Sequence, residues 1–125
     1  MILVVDDEPS VRSTIARGLA ALGYEVREAA GGREALAQVR QGGVSLVVLD
    51  YQMPGMDGAE TARAIAAIDA DLPVLFSTGH AALRALRSAA GEDVPILEKP
   101  FTLAELDALI RETHSVRRMR IALER

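Results

Sequence analysis

Short apolar runs alternate with amphipathic stretches along the whole chain, a pattern that predicts repeated strand and helix units around a parallel sheet. Ile2 to Val5 is the first run. After Pro9, placed where a first helical turn tolerates proline, Val11, Ile15 and Leu19 share one helical face until the chain reaches Gly23. Tyr24 to Ala29 alternates weakly, with Val26 between Glu25 and Arg27, and reads as a strand at a sheet edge. Ala35, Leu36 and Val39 then mark a helix that stops at Gly42-Gly43. Val44 to Leu49 contains the densest run, Leu46-Val47-Val48-Leu49, which suits a central strand covered on both faces.

In the second half, a loop with Pro54, Gly55 and Gly58 leads into a helix carrying Ala62, Ile65 and Ile68, and Asp57 fits its N-cap. Pro73 opens the strand Val74-Leu75-Phe76, which Ser77, Thr78 and Gly79 bring to a close. A fourth, alanine-rich helix from His80 to Ala90 carries Leu83 and Leu86 and ends at Gly91; its small residues predict weak packing. Val94 to Leu97 supplies a fifth strand. Thr102-Leu103-Ala104-Glu105 reads as a capping box opening a helix with Leu103, Leu106, Leu109 and Ile110 on one side. Beyond Thr113 the pattern turns basic and less regular, so the reading is one domain over 1–113 and a helical extension or linker over 114–125.

Composition narrows the function classes. A chain of 125 residues, 50% hydrophobic, buries one proper core and is too short for two ordinary domains. The net charge is −4 and basic residues are scattered until Arg117, Arg118 and Arg120, so this segment carries no nucleic-acid footprint. The absence of cysteine excludes disulfides and thiolate metal sites and is compatible with a cytoplasmic location. The first apolar run ends at Asp6, too early for a signal-peptide core or a membrane span.

Asp6-Asp7, Asp50, Ser77-Thr78 and Lys99 each follow an apolar strand, and strand C-termini in a parallel sheet share one edge. Ligand sites in such sheets lie outside that edge where the strand order reverses, which in a 2-1-3-4-5 order is between the first and third strands. Crowded carboxylates repel unless some are protonated or a cation joins them. A hard divalent ion suits them, magnesium best, because it takes one or two carboxylates and shares its other positions with water and phosphate oxygens. Calcium needs more protein ligands, and zinc lacks a histidine or cysteine cluster. Lys99 adds a mobile positive charge and Thr78 a hydroxyl donor, which leaves Asp50 as the candidate nucleophile for an aspartyl phosphate.

Val5-Asp6-Asp7-Glu8-Pro9, Asp50-Tyr51-Gln52-Met53-Pro54-Gly55-Met56-Asp57-Gly58 and Lys99-Pro100-Phe101 occur together, in order, across Ile2 to about Glu112. In this the chain resembles response-regulator receiver domains of two-component signalling. The resemblance implies a flavodoxin-like doubly wound (βα)5 fold, an α/β parallel five-stranded sheet in order 2-1-3-4-5. It implies phosphorylation of Asp50 by a histidine kinase or histidine phosphotransfer domain. Asp7, Asp50 and the backbone carbonyl of Gln52 would ligate Mg2+ or Mn2+, with Asp6 acting through metal-bound water. Thr78 and Lys99 would contact the phosphoryl group, and a homodimer could form through the face of helix four, strand five and helix five. No membrane or nucleic-acid partner is implied for this domain.

Two departures stand out. The family's switch aromatic, three residues before Lys99, is Ile96 here, which puts an aromatic-rotamer readout in doubt. Gly91-Glu92-Asp93-Val94-Pro95-Ile96-Leu97 looks more like receivers attached to hybrid histidine kinases.

Competing readings are weaker. A phosphohydrolase of the haloacid dehalogenase type wants an Asp two residues after the nucleophile, where Gln52 stands, and a mononucleotide binder would find its phosphate repelled by Asp6-Asp7-Glu8. Ser77 competes with Thr78 for the hydroxyl role, and position favours Thr78. His80 and His114 read as solvent-exposed residues outside any kinase-type phosphodonor motif.

Overall fold

The computed structural model describes the backbone of residues 1–91 and 94–124, with side chains described for 1–91 and 94–113. The elements run β1 (Ile2–Val5), α1 (Pro9–Ala21), β2 (Val26–Ala29), α2 (Gly32–Gln41), β3 (Leu46–Asp50), α3 (Gly58–Ile68), β4 (Val74–Thr78), α4 (His80–Ala90), β5 (Ile96–Glu98) and α5 (Leu103–Glu124). All strand pairs are parallel, and the sheet order is β2-β1-β3-β4-β5.

Period-two alternation divides the apolar runs between two cores. Leu3, Val5, Val47, Leu49 and Phe76 face Ala35, Leu36, Val39, Ile65 and Leu86 of α2, α3 and α4. Ile2, Val4, Leu46, Val48 and Leu75 face Ile15, Leu19, Leu106 and Ile110 of α1 and α5. Strands covered on both faces can carry unbroken apolar sequence, which is why β1 and β3 lack alternation. At the edge, β2 buries only Ala29 fully and leaves Arg27 and Glu28 exposed.

Local chemistry fixes the helix starts near the strand ends. Asp57 Oδ1 accepts from the Glu60 amide at 2.8 Å, capping α3 as expected. Thr102 Oγ1 accepts from the Glu105 amide at 3.1 Å while Glu105 Oε1 accepts from the Thr102 amide at 3.2 Å, completing the capping box. Gly58 donates its amide to Tyr51 O at 2.8 Å, and a Cβ there would lie 2.6 Å from Tyr51 Cα and 2.8 Å from Asp50 O. Only glycine lets α3 start this close to the end of β3.

Some boundaries differ from the sequence expectation. β5 spans Ile96–Glu98 and not Val94 to Leu97, because Pro95 has no N–H and enters the ladder through its carbonyl, which accepts from Phe76 at 3.0 Å. β2 and β3 each begin two residues later than expected, and Asp50 is the last residue of β3 itself. On α5, Leu106 and Ile110 are buried but Leu103 is 37% exposed, lying over Gly18 of α1 at the rim of the core. Despite its small residues α4 buries Ala82 and Leu86. The α5 backbone continues as helix past Thr113 to Glu124.

Candidate functional site

The alternation that sorts the core also aims the polar groups. Asp6 continues the parity of Ile2 and Val4, Asp50 that of Leu46 and Val48, and Lys99 that of Leu97, so all three turn toward the side covered by α1 and α5. There Lys99 Nζ donates to Asp6 Oδ2 and to Asp50 Oδ1, each at 3.3 Å. The carboxylates of Asp6 and Asp50 are 3% and 8% exposed. Asp7 is exposed, yet it offers a carboxylate oxygen to a group in which one oxygen from each of Asp6, Asp7 and Asp50 lies within 4.8 Å of the others. These residues open onto a cleft of about 550 Å³ that Glu8, Pro9, Gln52 and Gly79 also line.

Charge balance defines what the cleft lacks. The grouped carboxylates of Asp6, Asp7 and Asp50 outnumber the one ammonium, Lys99, that contacts two of them. Burial raises the pKa of Asp50, the charge of Asp6 and more weakly that of Asp7 raise it further, and Lys99 only partly opposes them. Burial alone would lower the pKa of Lys99, but the Asp50 and Asp6 carboxylates outweigh it and leave the ammonium more firmly protonated than usual. An all-oxygen donor set with a surplus of negative charge fits a hard divalent cation.

Asp6 is held on every side. Its amide donates to Ala29 O at 3.2 Å, its Oδ1 accepts from the Glu8 amide at 2.9 Å, and its carbonyl accepts from Arg12 Nη1 at 2.9 Å. Arg12 Nε in turn donates to Glu28 Oε1 at 3.1 Å. Arg12 and Glu28 were not legible as site residues, because they meet only once α1 packs beside β2; an arginine one helical turn after Pro9 is the single local signal.

Thr78 is not brought into the cleft. It continues the parity of Phe76, which faces α3 and α4, and its fully buried hydroxyl donates to Gly79 O at 3.3 Å. Ser77 is buried too, paired in register with Asp50. Gln52 is exposed on the cleft wall. His80 is exposed as expected, but its Nδ1 lies 2.6 Å from Glu98 Oε1, tying the start of α4 to the end of β5. The side chain of His114 lies outside the described residues. Ile96 is half-buried, opposite Phe76 in register and packed on the α3 and α4 side of the sheet.

Comparison with known proteins agrees with this geometry. A family model of the response regulator receiver domain matches residues 2–111. Response regulator MprA of Mycolicibacterium vanbaalenii is 42% identical over 112 residues, which are 88% of this chain and 48% of that protein. Transcriptional regulatory protein PrrA of Mycobacterium tuberculosis is 38% identical over 112 residues, with the same 88% and 48% shares. The chain thus spans about half the length of the curated relatives it matches. The crystal structure of a response regulator receiver domain protein from Clostridium thermocellum superposes with a TM-score of 0.87 at 29% identity, covering 94% of this chain and 96% of that one. With its strand order, its acidic cleft and a family match over nearly its whole length, the chain belongs to the response regulator receiver domains of two-component signalling.

Proposed function

We propose that this domain accepts a phosphoryl group on Asp50 from a phosphohistidine of a histidine kinase or histidine phosphotransfer protein. The observation that carries the reading is the arrangement of Asp50 itself: a buried strand-end carboxylate 3.3 Å from Lys99 Nζ, grouped with Asp6 and Asp7 at the mouth of an open cleft. A carboxylate oxygen of Asp50 attacks the donor phosphorus, the P–N bond to the imidazole breaks, and the departing imidazole takes up a proton. Lys99 holds a phosphoryl oxygen and orients the group for this displacement.

The donor set fits Mg2+ or Mn2+: Asp7, Asp50 and the backbone carbonyl of Gln52 would hold the ion, with Asp6 acting through a water. When bound, the ion supplies the charge neutralisation that lets a phosphoryl group approach three carboxylates. Thr78 is the hydroxyl that senses the phosphorylated state.

The domain is a regulatory phosphoacceptor that also catalyses its own labelling by small acyl phosphates and the later hydrolysis of the aspartyl phosphate. A chain without cysteine suits a reaction in the reducing cytoplasm. The face formed by α4, β5 and α5 serves partner or homodimer contact, with Ile96 in place of an aromatic reporter. Residues 114–125 serve as a helical extension of the domain or as a linker.

Intact-mass measurement after incubation with acetyl phosphate and Mg2+ tests the reading. The wild-type chain is expected to gain one phosphoryl group and Asp50→Asn none. Undiminished labelling of Asp50→Asn overturns the assignment.

A further inference from the structure

We infer that Arg12 is a positioning residue for the cation-binding carboxylates, fixing the peptide unit between Asp6 and Asp7 by a guanidinium clamped between Glu28 and the Asp6 carbonyl. The inference rests on the proposed cation site and goes beyond it to a residue outside the cleft lining.

The ladder from β1 to β3 ends at the pair Val5 and Leu49, so the Asp6 carbonyl lies past the last residue that β3 pairs. Arg12 Nη1 supplies the missing donor at 2.9 Å. That carbonyl belongs to the peptide plane that leads into Asp7, and its direction sets the course of the backbone from which the Asp7 side chain departs. Asp7 is exposed, so packing does little to orient it; a hydrogen bond on the preceding peptide does so from behind.

The clamp has a fixed outer end. Arg12 Nε donates to Glu28 Oε1 at 3.1 Å, and the next residue on β2, Ala29, accepts the Asp6 amide at 3.2 Å. Asp6 is therefore bonded on its amide side to β2 directly and on its carbonyl side to β2 through Arg12. A planar guanidinium can serve two acceptors in fixed relation, which a lysine cannot. The Arg12 side chain is 18% exposed and Glu28 is 43% exposed, so as an ion pair alone the contact adds little to stability. Its effect is on geometry, in the manner of groups that orient the ligands of a metal without touching it.

Electrostatics alone predicts the opposite sign. Removing a positive charge beside a cation site favours cation binding. Losing a positioning contact weakens it, by roughly ten-fold or more where ligands depend on such support. The direction of change therefore decides between the two.

The test is titration of the metal-free protein with Mn2+, followed by the electron paramagnetic resonance of the free ion, with urea midpoints and amide NMR of each variant measured without metal. Arg12→Met is expected to bind Mn2+ about ten-fold or more weakly, with amide shifts changing mainly at Asp7 and Glu8 and a urea midpoint near wild type. Arg12→Lys is expected to recover part of the affinity and Glu28→Ala to lose part of it. These two variants carry the test should Arg12→Met fail to fold. Arg17→Met removes the same charge from an exposed position on α1 and is expected not to weaken binding. Unchanged or tighter Mn2+ binding by a folded Arg12→Met overturns the inference, as does wild-type Mn2+ affinity in Glu28→Ala should Arg12→Met not fold. A wild-type chain that binds no Mn2+ overturns the cation site as well.

Discussion

Thr78 donates its hydroxyl to the carbonyl of its neighbour Gly79 at 3.3 Å, within a strand end that leaves it fully buried and outside the acidic cleft. A bond this long is weak, so its replacement by a better acceptor costs the fold little, about 1 kcal/mol or less. Thr78→Ala is therefore expected to accept a phosphoryl group on Asp50 while losing the coupled change around α4. Amide chemical shifts on addition of beryllofluoride with Mg2+ check this: changes confined to the cleft are expected. Shifts spreading through α4 and β5 as in the wild type would sink the idea.

Asp50 gives a pH dependence with a definite sign. Its pKa is raised in the folded protein by burial first and by Asp6 next, so the folded state holds that proton more tightly than the unfolded chain does. Stability from this group is intact below the unfolded value and is lost as pH rises through the raised folded value. In the presence of a chelator, wild type is expected to fall behind Asp50→Asn across that window and to converge with it in acid. Urea midpoints at a series of pH values measure the difference, and one that stays constant with pH contradicts the account.

Gly58 ties the fold to the site. A methyl group there meets the backbone of both Tyr51 and Asp50, atoms that no side-chain rotation can clear. Gly58→Ala is expected to cost about 1–3 kcal/mol, as overpacking does elsewhere, and to slow phosphorylation because the turn after Asp50 must shift. Chemical denaturation and labelling rates test the two effects together. A variant matching wild type in both would show that α3 is free to retreat from the turn.

Much of this was legible in the sequence, for physical reasons. Runs such as Leu46-Val47-Val48-Leu49 have one stable use in a chain with helical patterns on either side, a strand covered on both faces. Asp6, Asp50 and Lys99 are legible as one group because parallel strands bring their C-terminal ends to one edge. The caps at Asp57 and Thr102 were readable because their partners are three residues away. What escaped depends on contacts between distant segments. Arg12 reaches Glu28 across sixteen positions and Tyr24 donates to Asp107 across eighty-three, and no local period encodes either. The orientation of Thr78 follows from which face Phe76 takes, a matter of how β4 aligns beside β3. The start of β5 shifted because Pro95 removes a donor that an apolar pattern alone does not reveal.

The central claim is that one carboxylate, Asp50, carries the phosphoryl group while Asp6 and Asp7 serve it. Borohydride reduces an aspartyl phosphate to homoserine, so reduction after labelling with acetyl phosphate and Mg2+, followed by peptide fragmentation, identifies the residue modified. The account predicts homoserine at position 50 alone. Homoserine at Asp6, Asp7 or Asp57, or a chain left unmodified, would contradict it.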